Sequence, residues 1–213
     1  MKIEDIEIID LSYPNSFYLK HEEESVLIDT GFKDESDKLF NLPDISLIIL
    51  THGHVDHIGN ACELSEKYGA TIYIHKNDSY ALKENRVPKR DVQVNNKKYF
   101  KYKTCEPDHE IEDNEELPLD LKSIKIPGHT EGNLSILAEK GEYRDQGVLI
   151  SGDTVIGLRN KLNLPYEEYC DNYEKAKNNL SKLLEYDFEK ILPGHGNKVF
   201  QRHDLLKLIN EIQ

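Results

Sequence analysis

The sequence predicts a mixed α+β fold in which two β-sheets are covered by outer helices. Two observations support this fold class: short strand-like runs recur along the whole chain of 213 residues, and stretches with helical periodicity lie between and after them. Within each half of the chain the strands come mostly first. Periodicity alone leaves one alternative open, a doubly wound parallel sheet with helices on both faces.

The strand-like runs are rich in Val, Ile and Leu and have lengths typical of β-strands. They are Ile3 to Ile9, Phe17 to Lys20, Val26 to Ile28, Leu47 to Leu50, Thr71 to Ile74, Ile124 to Ile126, Leu134 to Leu137, Val148 to Ile150 and Lys190 to Leu192. Apolar side chains at helical spacing predict helices over Ile58 to Tyr68, Glu167 to Tyr186 and His203 to Ile212. No repeat or Gly/Ser/Pro-rich linker divides these elements, so we expect one domain over residues 1–213.

The charge of the chain argues against a nucleic-acid partner. Its formal net charge of −13 would repel a phosphate backbone. Basic residues form only scattered pairs such as Lys89-Arg90 and Lys97-Lys98. Because nucleic-acid binding needs a concentrated basic patch, we expect no DNA or RNA partner.

The start of the chain and its cysteines predict a cytoplasmic protein. Met1 and Lys2 are followed by an acidic, alternating stretch that lacks the apolar core of a signal peptide, and no run approaches membrane-spanning length. Cys62, Cys105 and Cys170 are odd in number and widely spaced, and they form no Cys-x-x-Cys pair. We therefore expect no membrane segment, no disulfide framework and no thiolate zinc site, with the cysteines buried as small apolar side chains.

The densest chemical pattern follows the predicted strand Leu47 to Leu50. His52, His54, Asp56 and His57 place three imidazoles and a carboxylate within six positions. This composition is typical of metal ligands, and such a string arises by chance in roughly one chain of this composition in a thousand. A solvated polar loop is the alternative, and the rarity of the pattern makes it the weaker one.

Three further sites share one local design, an apolar strand followed by a turn with Gly directly before a side chain that could bind metal. They are Pro127-Gly128-His129, Ser151-Gly152-Asp153 and Pro193-Gly194-His195. Glycine permits the tight or left-handed turn that ends a strand and directs the next side chain off the edge of the sheet. Each motif alone is weak, but four strand ends that all finish in ligand-type residues favour convergence on one rim.

Together these motifs resemble those of the metallo-β-lactamase superfamily, and within it the glyoxalase II-like branch. The match covers Leu27 to Gly196. The resemblance implies that one metal is held by His52, His54 and His129, that a second is held by Asp56, His57 and His195, and that Asp153 bridges them. It also implies a four-layer αββα sandwich with the site at one rim.

Two details refine this resemblance. Val26 to Gly31 matches an early strand-and-turn motif of the superfamily, in which the Asp, here Asp29, usually supports the site from behind the metal ligands; a plain turn-forming role is the alternative. Asp153 stands where the true zinc β-lactamases have Cys or Ser. The resemblance therefore argues against antibiotic hydrolysis.

The predicted ligand set also predicts the cofactor and the mechanism. Five imidazoles and two carboxylates without a thiolate favour two zinc ions, with iron and manganese as alternatives. Two divalent cations lower the pKa of a shared water to about 7 and so provide a metal-bridging hydroxide at neutral pH. We expect Asp56 and Asp153 to be catalytic, because they hold the metals and orient this nucleophile.

The leading functional hypothesis is therefore a dinuclear hydrolase of a small ester, thioester, lactone or phosphodiester, with a thioester favoured by the glyoxalase II resemblance. The substrate is expected to carry an anionic or electron-rich group. The superfamily's mononuclear iron persulfide dioxygenases provide an oxidative alternative, and a non-catalytic metal-binding scaffold is a third.

The segment from Val155 to Tyr166 resembles a loop beside the rim, and an exposed connector is the alternative. Residues that could recognise substrate there or nearby are Tyr13, Arg159, Lys161 and Tyr166. The remaining histidines, which are His21, His75, His109 and His203, receive no role.

Overall fold

The computed structural model describes residues 2–3, 5–11, 13–33, 37–86, 88, 101–142, 144–196 and 199–212. The strands are β1 (Lys2–Ile3), β2 (Ile6–Asp10), β3 (Asn15–His21), β4 (Glu24–Ile28), β5 (Leu47–Leu50), β6 (Thr71–His75), β7 (His109–Ile111), β8 (Glu116–Leu117), β9 (Leu121–Lys125), β10 (Leu134–Ala138), β11 (Val148–Gly152), β12 (Ile156–Leu158), β13 (Lys161–Asn163), β14 (Lys190–Pro193) and β15 (Phe200–Gln201). The α-helices are α1 (Asp37–Phe40), α2 (Val55–Ile58), α3 (Ala61–Tyr68), α4 (Ser79–Glu84), α5 (Tyr173–Asn179) and α6 (Arg202–Ile212), and 3₁₀ turns span Glu167–Tyr169 and Leu180–Glu185. The basic pairs Lys89-Arg90 and Lys97-Lys98 lie outside the described residues.

The described strands form two large sheets and one hairpin. The first sheet has the order β1-β2-β3-β4-β5-β6-β7, and its strands from β4 to β7 run parallel. The second has the order β15-β14-β11-β10-β9-β8, in which β11 and β14 are parallel neighbours. Strands β12 and β13 pair only with each other.

Alternating side chains show that the two sheets pack face to face. In β5, Leu47 and Ile49 join an apolar cluster shared by both sheets, whereas Ile48 and Leu50 face a second cluster with the helices α2 and α3. In β11, Val148 and Ile150 face the shared cluster, and Leu149 packs against side chains from α6 and the turn at 180–185. Each sheet therefore buries both faces, and the layers follow the order helix, sheet, sheet, helix. The αββα expectation is confirmed, and the doubly wound single sheet is wrong.

The predicted strands all occur, most of them extended by one to three residues. The run Ile3 to Ile9 is divided between β1 and β2, and the strand predicted over Ile124 to Ile126 is shifted to β9. The short strands β7, β8, β12, β13 and β15 were not predicted. In particular, the segment from Val155 to Tyr166 is not a simple loop, because it contains the β12–β13 hairpin.

Two of the predicted helices are interrupted. The helix expected over Ile58 to Tyr68 breaks at Gly59 and Asn60, where the Asn60 side chain donates hydrogen bonds to the backbone oxygens of Thr30 and Phe32. A Cβ at Gly59 would lie 2.6 Å from the backbone oxygen of Gly31, so the chain needs glycine at this close approach. The stretch from Glu167 to Tyr186 consists of α5 flanked by the two 3₁₀ turns.

The cysteines depart from the sequence-based expectation. Cys62 on α3 and Cys105 form a disulfide, with their Cα atoms 5.8 Å apart. The expectation that the chain forms no disulfide is therefore wrong, and the sequence separation of 43 residues gave no indication of the pairing. Cys170 lies outside this disulfide and is buried, as expected.

The described helices are all short. The longest described helix, α6, has 11 residues and buries Leu205, Leu208 and Ile209 against the second sheet's outer face. Among the described residues no helix is both long enough and apolar enough to cross a bilayer.

Candidate metal centre

Four strand ends carry the predicted ligands to one rim of the sandwich. Strand β5 of the first sheet leads into the segment from His52 to His57, while β9, β11 and β14 of the second sheet precede His129, Asp153 and His195. All seven predicted residues are brought together there. Most are buried, and the side chain of His195 is 15% exposed, so the cluster opens to solvent on its side.

Two of the three glycines before the predicted ligands, Gly128 and Gly152, have the left-handed conformation that the motifs allow. Gly194 has no positive φ, but a Cβ there would lie 2.7 Å from Asp153 Oδ1. Gly128 has φ 143° and Gly152 has φ 49°, both in the region that favours glycine. A Cβ at Gly128 would lie 2.2 Å from the backbone nitrogen of Ala176, so this turn also packs directly against α5.

One group of three ligand-type side chains consists only of imidazoles. The candidate ligand atoms of His52, His54 and His129 lie within 4.8 Å of one another. His52 Nε2 is 3.1 Å from His54 Nδ1, and the His54 and His129 rings are 4.5 Å apart between centroids. We call this group the all-histidine triad.

A second group contains a carboxylate. His195 Nε2 lies 3.3 Å from His57 Nε2 and 3.3 Å from Asp56 Oδ2, and His57 Nε2 is 3.7 Å from the same carboxylate oxygen. We call Asp56, His57 and His195 the carboxylate triad.

Asp153 lies between the two triads. Its Oδ2 is 3.4 Å from His129 Nε2 of the all-histidine triad and 3.2 Å from His195 Nε2 of the carboxylate triad. Its Oδ1 is 3.5 Å from His57 Nε2. A single carboxylate therefore reaches both groups of potential ligands.

The donor atoms fit a pair of metal ions. His129 Nε2 and Asp153 Oδ1 are buried and have no hydrogen-bond partner within the described part of the chain. Buried polar atoms without partners are costly, and a bound cation would satisfy both of these. Imidazole nitrogens and carboxylate oxygens are ligands that zinc, iron and manganese accept.

Burial keeps His52 and His129 of the all-histidine triad neutral. Desolvation, and then the neighbouring imidazoles, lower the pKa of His52 well below its ordinary value. The pKa of His129 falls to about 3 for the same leading reason, with His54 as the next contributor. Neutral imidazoles have a free lone pair, which is the form that binds metal.

The carboxylate triad has the opposite electrostatic character. Burial opposes protonation of His57, but attraction to Asp29, Asp153 and Asp56 outweighs it and raises the pKa to about 9. Burial likewise opposes a charge on His195, yet Asp153 and Asp56 raise its pKa well above the ordinary value. Despite burial, the adjacent imidazoles lower the pKa of Asp56 to about 2 and that of Asp153 well below its usual range. This half of the site attracts positive charge.

Asp29 supports the ligands from behind, as one of the two sequence hypotheses stated. Its Oδ2 accepts hydrogen bonds from His57 Nδ1 at 2.7 Å and from the Thr51 hydroxyl at 2.8 Å. Because that hydroxyl donates to Asp29, it can accept from His52 Nδ1, which lies 3.0 Å away. These bonds turn Nε2 of both His57 and His52 towards the cluster. Asp29 also has φ 61°, so the turn-forming role holds as well.

Sequence reasoning missed Asp78, a buried carboxylate that joins the loops of the all-histidine triad. It accepts hydrogen bonds from the backbone N–H groups of Gly53 and Gly132, both at 2.9 Å, and from the Thr130 hydroxyl. Gly53 lies between His52 and His54, while Thr130 directly follows His129. No motif in the sequence connects Asp78 with these donors.

Two other supporting contacts were also missed. Asn15 Nδ2 donates to the backbone oxygens of Pro193 and Gly196, which brackets the loop that carries His195. Cys170 Sγ lies 3.7 Å from Nδ1 of His129. Neither residue lies near a recognisable motif.

A cleft of about 300 Å³ opens beside the cluster. Five of the seven predicted ligands contribute to its lining. Tyr13 and Tyr166 also line it, as predicted, whereas Arg159 and Lys161 do not and instead lie exposed around the turn of the β12–β13 hairpin. The remaining histidines contact carboxylates elsewhere, for example His75 Nε2, which lies 3.0 Å from Asp113 Oδ1.

Residues 9–195 match the family model described as the metallo-beta-lactamase superfamily. The match covers most of the chain and ends on His195. The chain therefore belongs to the metallo-β-lactamase superfamily.

Similar curated proteins include two that are named as enzymes. The probable metallo-hydrolase YflN of Bacillus subtilis is 29% identical, in an alignment that covers 100% of this chain and 89% of that protein. The probable metallo-hydrolase YqgX of the same organism is 28% identical over 66% of this chain and 65% of its own length. An uncharacterized protein of Mycobacterium leprae is 32% identical over 71% of this chain and 69% of its own length. These similarities place the chain among superfamily proteins that include probable metallo-hydrolases.

Solved structures confirm the fold. An archaeal superfamily protein from Sulfolobus tokodaii has a TM-score of 0.75 at 21% identity, covering 99% of this chain and 86% of that one. A subclass B3 metallo-β-lactamase from Bradyrhizobium japonicum has a TM-score of 0.70 at 23% identity, covering 92% and 76%. At this level of identity the likeness concerns the fold alone.

Proposed function

We propose that the chain, as one domain over residues 1–213, is a dinuclear metal-dependent hydrolase of a small ester or thioester. The observation that carries this proposal is the position of Asp153, whose carboxylate lies within 3.5 Å of nitrogens from both triads. Such a carboxylate can offer one oxygen to each of two ions and reduce their mutual repulsion. A site for a single ion would need only one of the triads.

Each ion has its own proposed ligands. His52, His54 and His129 would hold the first, Asp56, His57 and His195 would hold the second, and Asp153 would serve both. Zinc is the leading choice because the donor set contains imidazoles and carboxylates, and iron or manganese would fit the same atoms.

The described residues that line the cleft include no Ser, Cys or Lys that could attack a carbonyl group. The attacking group is therefore water. When bound, two divalent ions supply Lewis acidity and lower the pKa of water to about 7. Asp56 and Asp153 are the carboxylates at the cleft that can accept a hydrogen bond from this water and orient it.

Side chains behind the site position the imidazoles. Asp29 holds His57 through Nδ1, and the Thr51 hydroxyl holds His52 in the same way. Fixed ring orientation reduces the reorganisation that a loosely held site would need during turnover.

Within the superfamily we favour the glyoxalase II-like branch, and hence a thioester as the first substrate to test. Support comes from the resemblance of the sequence motifs to that branch, including the Asp at position 153.

The test is metal-dependent turnover of a generic thioester. The protein is stripped with a chelator and then supplied with zinc, iron or manganese, and free thiol is measured. We expect activity to vanish on stripping and to return with one of these ions, and His203→Ala, a change at an exposed histidine outside the cluster, to behave like wild type. Hydrolysis that persists in fully stripped protein, or oxygen consumption supported by a single iron, would contradict the proposal.

A further inference from the structure

We infer that the cleft beside the metal centre selects substrates whose non-reacting arm is uncharged and apolar or aromatic. This inference rests on the proposed function and specifies its substrate class. Away from the cluster, the cleft is lined mainly by Phe32, Ile156, Leu158, Pro165, Tyr166 and Tyr169. Apolar and aromatic walls bind apolar groups by removing both surfaces from water.

Two aromatic pairs shape this surface. Tyr13 stacks on Phe32 with ring centroids 6.2 Å apart, and Tyr166 meets Tyr169 edge to face at the same separation. Tyr13 also lies against His195, with centroids 4.7 Å apart. The aromatic surface therefore begins directly beside the proposed ligands, where an arm attached to the scissile bond would lie.

The exposure of two of these tyrosines points to a ligand. Tyr13 is 57% exposed and Tyr166 is 46% exposed, and together with Leu206 they are the exposed large hydrophobic residues of the described chain. Two of the three thus lie at one cleft. Exposed apolar surface concentrated at a concave site is typical of a place that a partner molecule covers.

Lysine and arginine are missing from the described lining of the same surface. Arg159 and Lys161 lie outside the lining, and Lys33, next to Phe32, pairs with Glu63 at 3.5 Å. A carboxylate on the substrate's arm would therefore lose hydration without gaining a counter-charge, in a protein of net charge −13. This disfavours substrates that carry acidic groups away from the reacting carbonyl.

The reaction itself is ordinary hydrolysis. Water adds to the carbonyl carbon, the bond from that carbon to sulfur or oxygen breaks, and the products are a carboxylic acid and a thiol or alcohol that takes up the remaining proton. No oxidant or reductant is needed.

A matched substrate series tests the inference. The acetyl, butanoyl, hexanoyl and adipoyl thioesters of one small thiol are compared, together with acetyl thioesters of longer alkanethiols, so that the apolar arm is placed on either side of the scissile bond. We expect kcat/KM to rise by about fourfold per added methylene in at least one series, mainly through KM. The adipoyl thioester has the chain length of the hexanoyl thioester and carries one terminal charge in addition. We expect its kcat/KM to be lower by at least about tenfold. A flat response in both series, or a preference for the adipoyl ester, would overturn the inference.

Variants locate the effect. Tyr166→Ala should reduce the gain per methylene, whereas Tyr166→Phe, which keeps the ring, should preserve it. Leu206→Ala is the matched control, because Leu206 is exposed to a similar extent on α6 but does not line the cleft. An unchanged chain-length dependence in Tyr166→Ala would overturn the assignment of this residue to the binding surface.

A binding measurement separates this inference from the proposed function. If no ester or thioester is hydrolysed, the proposed function fails, and calorimetric titration with hexanoate and adipate still tests the cleft. We expect hexanoate to bind more tightly than adipate and to lose this advantage in Tyr166→Ala. Equal binding of the two acids, or binding of neither, would overturn the inference independently of turnover.

Discussion

The two triads of the metal centre contain the same side chain in opposite electrostatic settings. In the all-histidine triad, burial among imidazoles lowers the pKa of His129 to about 3. In the carboxylate triad, the nearby Asp29, Asp153 and Asp56 raise the pKa of His57 to about 9. Burial opposes a charge on both residues, so the comparison teaches that neighbouring carboxylates decide which of two buried histidines holds a proton at neutral pH.

This electrostatic difference corresponds to different proposed roles for the two triads. In the all-histidine triad, His52 and His129 offer lone pairs without competition from protons. The carboxylate triad concentrates negative charge and therefore favours a second positive ion beside the first. Asp153 belongs to both environments, which is why we assign it the bridging position.

The largest expected effect comes from removing the carboxylate triad. His57→Ala and His195→Ala should each release the second ion and leave His52, His54 and His129 to hold the first. Turnover should fall by about a thousandfold, because a contribution of several kcal/mol to the transition state is lost. Activity on a thioester and metal content per chain are measured together.

His203→Ala serves as the control for these two variants, since it removes an exposed histidine that belongs to no predicted ligand motif. Near-native turnover in folded His57→Ala and His195→Ala would contradict the dinuclear assignment and favour a mechanism that uses one ion.

A smaller effect should come from the two carboxylates behind the triads. Asp29→Asn should weaken metal binding at both triads, because Asp29 holds His57 directly and His52 through Thr51. Asp78→Asn should weaken only the all-histidine triad, since an amide cannot accept from all of its present donors. Changes of this kind typically lower metal affinity by about tenfold to a hundredfold.

Metal titrations of the two variants measure this difference. Asp113→Asn, which removes a half-exposed carboxylate paired with His75 and Lys125, is the control and should bind metal like wild type. If Asp78→Asn weakened metal binding at both triads equally, the assignment of Asp78 to the all-histidine triad alone would be wrong.

The smallest expected effect is the pH dependence of metal binding, which arises from displaced protons. In metal-free protein the raised pKa values of His57 and His195 keep both rings protonated at neutral pH, so metal binding to the carboxylate triad must displace protons. Its apparent affinity should therefore rise with pH, by about tenfold per unit for each displaced proton, up to the pKa of about 9 for His57. His129, with its pKa of about 3, is already neutral and adds no such dependence above that pH.

Calorimetric titrations in buffers of different ionisation enthalpy measure the released protons. The ion that binds more tightly at low pH should be the one at the all-histidine triad. Proton release that is the same for both ions would contradict the electrostatic comparison.

The sequence predicted which residues would cluster because each part of the predicted ligand set is a local pattern. His52, His54, Asp56 and His57 are near neighbours, and the other three ligands each follow a strand and a glycine. The layer order also followed from the strand and helix patterns combined with the family resemblance. A local sequence pattern was sufficient to predict those features that depend on residues close together in the sequence.

Contacts between distant segments could not be predicted in this way. Asp78 accepts from donors 25 and 54 positions away, and the disulfide joins cysteines 43 positions apart. The β12–β13 hairpin was missed for another reason. Its central residues, Arg159 and Asn160, have φ 50° and 64°, whereas tight turns of this kind usually contain glycine. The turn therefore lacked the residue that would have indicated it.

The central claim is that Asp153 joins two metal ions in one site, and metal content tests it most directly. Wild type and Asp153→Ala are purified without added metal, reloaded with zinc, and analysed for zinc per chain alongside His203→Ala. We predict about two zinc ions in wild type and in the control, and no more than about one in Asp153→Ala, because the remaining ligands cannot offset the repulsion between the ions. One zinc ion in wild type, or two in Asp153→Ala, would contradict the account.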